Sequence, residues 1–482
     1  MAAWISCVLC ALVILKPQEF VELLRGLPLV YAAFVAALIA AVVDVVRRRV
    51  RLSLAPQVPF VLAFFAWALL VTALKRPAVL GDELLSLAIL GGLFASVAVG
   101  CASAAGLRAF AVTFTACAAL VTVVALVQSQ RPYGCFLAEP DDWEGRGELT
   151  FDGRDCETPL DCRKDAPVPD GNYRCERRGP LGTATIGGRV RYRGSLADPN
   201  ELSLALAMAL PFALALAERR RARPAPVDAR PVYLPPLLGD DLLRSLGSFA
   251  RGLPALCLLV GIGIVVVLSQ SRSGLLAFLA VLGLLIIRRT GAWGIVAGCA
   301  LGPPLLLLGG RSGVEADESS DERAEILREA FELIRGTKGI GLGAGQFSDA
   351  SSIGMTAHNA YVLAMAEVGL VGYLLFCLAL YLSIKVPVAL WLGDKPPGGA
   401  VARFAPALAV SLAGALIGIL FLSWTYKDVL YLVMGASAAL YSVARARDPS
   451  VRVGLSAKEL VAVVAAALGL LAVVYVGSRL HR

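Results

Sequence analysis

The stretch GLPALCLLVGIGIVVVLSQSRSGLLAFLAVLGLLIIRR, residues 252–289, decides the fold. It is 38 residues long, and inside its apolar length lies one polar hexapeptide, Ser269-Gln270-Ser271-Arg272-Ser273-Gly274. As one continuous helix it would measure ~57 Å at about 1.5 Å per residue, nearly twice the ~30 Å hydrocarbon core of a bilayer. The chain must turn or break at the hexapeptide, which makes two membrane spans. Outward from here the same apolar pattern recurs. Candidate spans fall at 3–15, 27–46, 58–74, 84–101, 107–128, 199–217, 252–269, 273–288, 291–309, 359–384, 402–423, 426–444 and 459–477, the first of them short. Composition agrees: 57% hydrophobic residues, 17% charged residues and a mean hydropathy of +0.72, against about 25% charged in soluble domains. The expected fold is all-α, a polytopic transmembrane helical bundle of about 12–13 spans forming a single membrane domain over 1–482. A soluble enzyme, a disordered chain and a collagen-like fibre are excluded. The first 15 residues lack a basic leader region and read as a retained span.

The net charge of +8 points to membrane orientation and membrane lipids, with no nucleic-acid partner expected. Basic clusters follow alternate spans: RRRVR at 47–51, RRRAR within 218–251, Arg288 and Arg289, Lys385 and Lys395, then Arg445, Arg447, Arg452 and Lys458. All fall on one side if the N-terminus is cytoplasmic, as positive-inside sorting requires. Two long loops, 130–198 and 310–357, then lie on the periplasmic side. Of the eleven cysteines, seven lie in apolar spans. The other four, Cys135, Cys156, Cys162 and Cys175, share loop 130–198 and suggest two disulfides in an oxidising compartment. A zinc site is the rival reading, but no CxxC spacing supports it.

Polar groups at the ends of spans are the candidates for chemistry. Asp198-Pro199-Asn200-Glu201 opens the span at 199–217. Asp198 suits a helix cap, whereas Asn200 and Glu201 stand at the mouth beside Arg189, Arg191 and Arg193. In the hexapeptide, Arg272 begins the next helix with Leu276 one turn on. Its fork of donors suits phosphate oxygens; the competing reading is an arginine snorkelling to headgroups. In loop 310–357, Ser319-Ser320-Asp321-Glu322 reads as a capping box opening a helix that stops at Gly336. Leu327, Ala330 and Ile334 form its apolar stripe, flanked by Ile326 and Phe331, with Glu325, Arg328, Glu329 and Glu332 opposite. Arg323 lies on the apolar stripe, aimed at an anion or at an internal ion pair with acids in 315–322. Gly339-Ile340-Gly341-Leu342-Gly343-Ala344-Gly345 lets backbone amides approach an anion, or serves as a hinge. His358-Asn359 opens the next span. His358 is the only histidine apart from His481 in the tail, and the positive end of a helix favours its neutral, basic form. Glu367 lies deeper, on the opposite face of that helix, within reach of another span, and its role is open.

These motifs resemble the O-antigen ligase and polymerase superfamily of bacterial membrane glycosyltransferases. The likeness is carried, in the family's order, by DPNELSLALAMALPFALAL (198–216), LSQSRSGLLAFLAVLGLL (268–285), ERAEILREAFELIRGTKGIGLGAGQF (322–347) and HNAYVLAMAEVGLVGYLLF (358–376), within residues 185–385. The resemblance implies a multi-pass protein of the bacterial inner membrane, acting in lipopolysaccharide biosynthesis. It would move a saccharide from an undecaprenyl pyrophosphate-linked glycan donor to the hydroxyl of an acceptor, lipid A core or another glycan or protein, on the periplasmic face. It implies no metal and no cofactor. Arg272 matches the arginine of the family's R-x-x-x-L motif, completed by Leu276. Arg323 resembles its second arginine, and His358 its essential histidine, proposed to activate the acceptor. Asn200, Leu276, Asn359 and Gly343 are the candidate substrate-binding positions around them. The four-cysteine loop has no counterpart in the family pattern and is a candidate for shaping acceptor choice. Ligase, repeat-unit polymerase and protein O-oligosaccharyltransferase share these motifs. A polyprenyl-saccharide transporter would instead show inverted repeats and charges at the bilayer midplane.

Overall fold

Fifteen helices and three short strands follow one another along the described residues. The computed structural model describes residues 1–50, 53–138, 149–164, 166–168, 171–218, 238–291, 293, 314–393 and 398–480, with side chains except in 238–251 and 314–320. The helices are α1 (Ala2–Leu15), α2 (Leu29–Val46), α3 (Val58–Lys75), α4 (Leu80–Gly100), α5 (Ala104–Gln128), α6 (Pro159–Arg163), α7 (Pro199–Ala217), α8 (Leu238–Leu268), α9 (Arg272–Thr290), α10 (Val314–Gly336), α11 (Phe347–Ala350), α12 (Ala360–Leu392), α13 (Ala400–Gly418), α14 (Asp428–Arg447) and α15 (Ala457–Leu480). Ten of the apolar segments are long enough to cross a membrane, and two shorter ones, Ala2–Leu15 and Gly252–Leu268, stand beside them. Twelve of the thirteen expected spans therefore correspond to helices, and the chain is an all-α polytopic bundle. The thirteenth, 291–309, lies outside the described residues.

In a bilayer no apolar driving force brings helices together, so small residues and interhelical hydrogen bonds do this work. The most enclosed helix, α14, shows both. Its Gly435-Ala436-Ser437-Ala438-Ala439 run is buried, and Ser437 Oγ donates to Ser383 O of α12 at 2.6 Å. Ser411 Oγ of α13 donates to Met208 O of α7 at 2.8 Å, and Ser6 Oγ of α1 to Ser96 O of α4 at 2.9 Å. Each such bond is worth on the order of 0.6–2 kcal/mol in a membrane. By contrast, α15 is almost wholly exposed along its apolar length, as a lipid-facing helix must be.

The bundle has two chemically different ends. At one, the N-terminal ammonium meets Asp44 at the end of α2 (3.2 Å), and Arg288 of α9 pairs with Glu218 after α7 (3.2 Å). There too Lys385 of α12 pairs with Glu459 of α15. The described members of the basic clusters gather at this end. At the other, Tyr192 Oη donates to Leu15 O (3.1 Å), Arg191 N to Gln128 Oε1 (3.0 Å), Val190 N to Leu268 O (3.4 Å) and Ala360 N to Ile419 O (2.9 Å). Both long loops meet the bundle here, so basic clusters and loops are sorted to opposite ends.

The loop at 130–198 carries an element that the apolar pattern does not announce. Strands β1 (Tyr133–Ala138), β2 (Leu149–Asp155) and β3 (Asn172–Arg177) form an antiparallel sheet in the order β2-β1-β3. Disulfides Cys135–Cys162 and Cys156–Cys175 use all four cysteines. With Tyr173 they make a small core of their own.

Candidate active site

The turn at 269–271 is built by hydrogen bonds among short polar side chains. Gln270 takes a left-handed backbone (φ 49) that reverses the chain, and Ser271 caps α9 by accepting from Gly274 N at 2.9 Å. Ser269 Oγ and Ser203 Oγ of α7 share a hydrogen bond of 2.6 Å. A Cβ at position 274 would lie 2.2 Å from Ser203 Cβ, so glycine there lets α9 start directly against α7. The buried Arg189 closes the arrangement: its Nε donates to Ser269 O (2.8 Å) and its Nη2 to Asn200 Oδ1 (3.1 Å). Arg272 is exposed, like Gln270, among the buried serines of this turn, at the first position of α9, with Leu276 half-buried one turn below it.

On α7, Asp198 is the helix cap and accepts from Asn200 N at 2.6 Å. The carboxylate of Glu201 pairs with Lys427, the residue before α14, at 2.8 Å. Asn200 is buried and its Oδ1 is held by Arg189.

The second half of the site is built around α10 and α12. Helix α10 begins at Val314, so the expected capping box at Ser319–Glu322 falls inside the helix; this corrects the earlier start. The expected apolar stripe is realised. Ile326 and Ala330 are fully buried against Phe347, Ala357, Val362, Leu363 and Ala366, with Leu327, Phe331 and Ile334 packed around them. Glu329 is not solvated with its neighbours. It accepts from Ser351 Oγ (2.7 Å) and Ser352 N (2.6 Å), tying α10 to the segment that leads into α12. Burial opposes the Glu329 charge, yet these two donors hold its carboxyl below the usual glutamate range.

The glycine-rich loop holds a carboxylate of the protein itself. Helix α12 breaks at Gly369 (φ 67, ψ −173), a conformation essentially reserved for glycine. The break removes intrahelical partners, and the loop replaces them. Leu342 N donates to Ala366 O (3.0 Å), Gly343 N to Glu367 O (2.9 Å), and Leu370 N to Gly339 O (2.9 Å). Trp67 Nε1 of α3 donates to Val368 O at 2.9 Å. The Glu367 side chain is buried and accepts from Gly345 N and Phe347 N, each at 3.0 Å. A Cβ at Gly369 would stand 2.3 Å from Gly339 O and Ile340 O, so the two backbones touch.

His358 stands half-buried in a left-handed conformation (φ 48), immediately before the cap of α12. Asn359 is that cap. Its Oδ1 accepts from Tyr361 N and Val362 N, both at 3.0 Å, and its Nδ2 donates to Leu420 O at 2.9 Å. Its polar atoms, like the amide of Gly343, thus serve the fold. Arg323 is half-buried on α10. Arg272, Arg323 and His358 each engage other groups of the protein. The structure gathers them in two groups at one end of the bundle: Arg272 with Asn200 through α7, α9 and Arg189, and Arg323 with His358 through the packing of α10 on α12. Helix α13 packs on both α9 and α12 and joins the groups. The helix starts of α7, α9, α12 and α14 all open at this end, each adding a partial positive charge to that of the arginines, a setting suited to an anion. Arg189, Glu329 and Lys427 complete it; of these only Arg189 drew attention in the sequence, because it precedes Asp198 closely.

Residues 256–377, about a quarter of the chain, match the model of the family described as O-antigen ligase. The matched segment contains Arg272, Arg323 and His358, and it supports the O-antigen ligase and polymerase superfamily. No curated protein matches the chain.

Proposed function

We propose that this chain is an O-antigen ligase-like glycosyltransferase, moving a saccharide from undecaprenyl pyrophosphate to an acceptor hydroxyl, that of lipid A core, on the periplasmic face of the inner membrane. The observation that carries the reading is the coincidence of two things. The family match covers 256–377, and the arginines and histidine of that segment lie at the end of the bundle where α7, α9, α12 and α14 start. Sorting of basic clusters to the opposite end supports a periplasmic site.

In this reading the acceptor oxygen attacks the anomeric carbon while the bond to the pyrophosphate oxygen breaks. Pyrophosphate departs with the bonding electron pair, and the configuration inverts. Arg272 and Arg323 stabilise the charge that grows on the leaving group, an effect strongest where water is scarce. His358, as a neutral base, takes the hydroxyl proton. No step calls on a metal or a cofactor. The test is transfer in vitro from a purified polyprenyl-pyrophosphate glycan to lipid A core. Product formation that depends on Arg272 supports the reading; a parent protein inactive on that donor overturns it. Polymerase and protein-glycosylating activities differ in acceptor alone. A deletion strain separates them: uncapped core with carrier-linked polymer accumulating marks a ligase, and single repeat units on the core mark a polymerase.

A further inference from the structure

The glycine loop and Glu367 form a lock with a consequence for the site. Residues 339–347 run between α10, which carries Arg323, and the segment leading to His358. Their hydrogen bonds reach across to α12 at 366–370, on the helix that His358 immediately precedes. Glu367 grips the loop at two amides, Gly345 N and Phe347 N, and Ala344 N is held from a third helix by Thr72 Oγ1 of α3 at 2.9 Å. Glu329 grips the far side of the same segment at Ser351 and Ser352. The chain between Arg323 and His358 is therefore fastened at both of its helices by carboxylates. A buried carboxylate is a costly choice for a merely structural tether. It is also a stiff one, because one side chain accepts from two backbone amides and so fixes the loop at two points.

We propose that Glu367 is a positioning residue of the transfer site, fixing the Arg323-bearing and His358-bearing helices in one frame. The proposal rests on the functional reading above, and its test has an arm that does not. Glu367→Gln keeps the shape of the side chain but turns an –NH₂ towards one of the two amides, and Glu367→Asp keeps the carboxyl group but draws it back. Hydrogen exchange on the detergent-solubilised full chain reads the lock directly. Peptides covering 339–352 should exchange about tenfold faster in Glu367→Gln, as expected for loss of one buried hydrogen bond, with peptides from α13 and α14 unchanged. In the transfer assay kcat should fall about 10²-fold, the usual cost of an ångström of misplacement, while KM for the donor stays within about twofold. Glu367→Asp should recover part of both. Parent-like exchange refutes the lock. Faster exchange with parent kcat, or a change confined to KM, refutes the positioning role. If the parent transfers nothing from any polyprenyl-pyrophosphate donor, the functional reading fails, the positioning role fails with it, and exchange alone decides whether Glu367 holds the loop.

Discussion

His358 occupies a backbone conformation that few side chains tolerate, and histidine is among those found there more often. A substitution thus changes two things, the imidazole and the strain. His358→Ala and His358→Gly separate them, because glycine removes the strain as well as the ring. If His358 is the base, both variants should lose about 10²–10⁴-fold in transfer rate and still bind the donor in an equilibrium assay. A glycine variant as active as the parent would assign the residue to the turn instead. For Arg272 the sharper change is Arg272→Lys, which keeps charge and loses the planar fork. Loss of one charge-assisted bond, on the order of 1.5–3 kcal/mol, predicts about a 10–100-fold drop in transfer; equal activity would mean that the charge alone suffices. Arg272 and Arg323 stood out in the sequence because each was out of place on its helix, and His358 because it is the one histidine besides His481 and opens a span. The partners of Asn359 and Gly343 could not. Asn359 had a visible alternative, since asparagine before a helix is a common cap, but its bond to Leu420 O comes from a segment some sixty residues away.

Within single elements, α12 and α10 carry the clearest expectations. Helix α12 breaks where its carbonyls find partners in the glycine loop, so Gly369 cannot accept a side chain. Gly369→Ala would place a Cβ 2.3 Å from two carbonyl oxygens in a backbone region that costs about 1–3 kcal/mol by itself. A clearly lowered melting temperature of the solubilised protein is expected; an unchanged melt would show that the break relaxes freely. Helix α10 is tied by Glu329, whose pKa lies below its unfolded value. Its contribution is complete above the ordinary glutamate pKa of about 4.3 and is lost as pH falls through the lower folded value. A fluorophore at the exposed Asp349→Cys should report loosening of 348–352 in acid, with a midpoint below that ordinary pKa; adding Glu329→Gln should abolish the transition. The apolar stripe of α10 was legible from its 3.6-residue period. The sheet at 133–177 was not, because strands of six or seven residues set among charges give a weak signal. The alternation Tyr133, Cys135, Leu137 opposite Tyr173, Cys175, Arg177 is plain only once the register is known.

For the whole molecule, hydropathy carried most of the fold, because a bilayer forces every backbone polar group to be satisfied inside a helix. It left unread the places where the helical rule is broken: the interruption of α12, and the crossing of 186–193 over the ends of α5 and α8. There the partners come from distant segments and no local pattern encodes them. Orientation belongs to this scale too. In the structure the N-terminus, Arg49, Arg288, Lys385 and Arg447 stand at one end, and the disulfide-bearing loop and the α10–α12 loop at the other. Two independent pressures fix which end faces which compartment: lysine and arginine are retained in the cytoplasm, and disulfides persist in oxidising compartments. Under both, the expected face of the proposed site is the periplasmic one. A cysteine at Glu325, exposed on α10, should then react with a membrane-impermeant maleimide in sealed spheroplasts, whereas one at Arg452, exposed between α14 and α15, should react only after the membrane is opened. The labelling is done with Cys257 and Cys299 changed to serine; of the other native cysteines, four are bonded and Cys7, Cys10, Cys101, Cys117 and Cys377 are buried. The opposite labelling pattern would place the arginines and His358 in the cytoplasm. A periplasmic acceptor would then be out of reach, whatever the chemistry of the site.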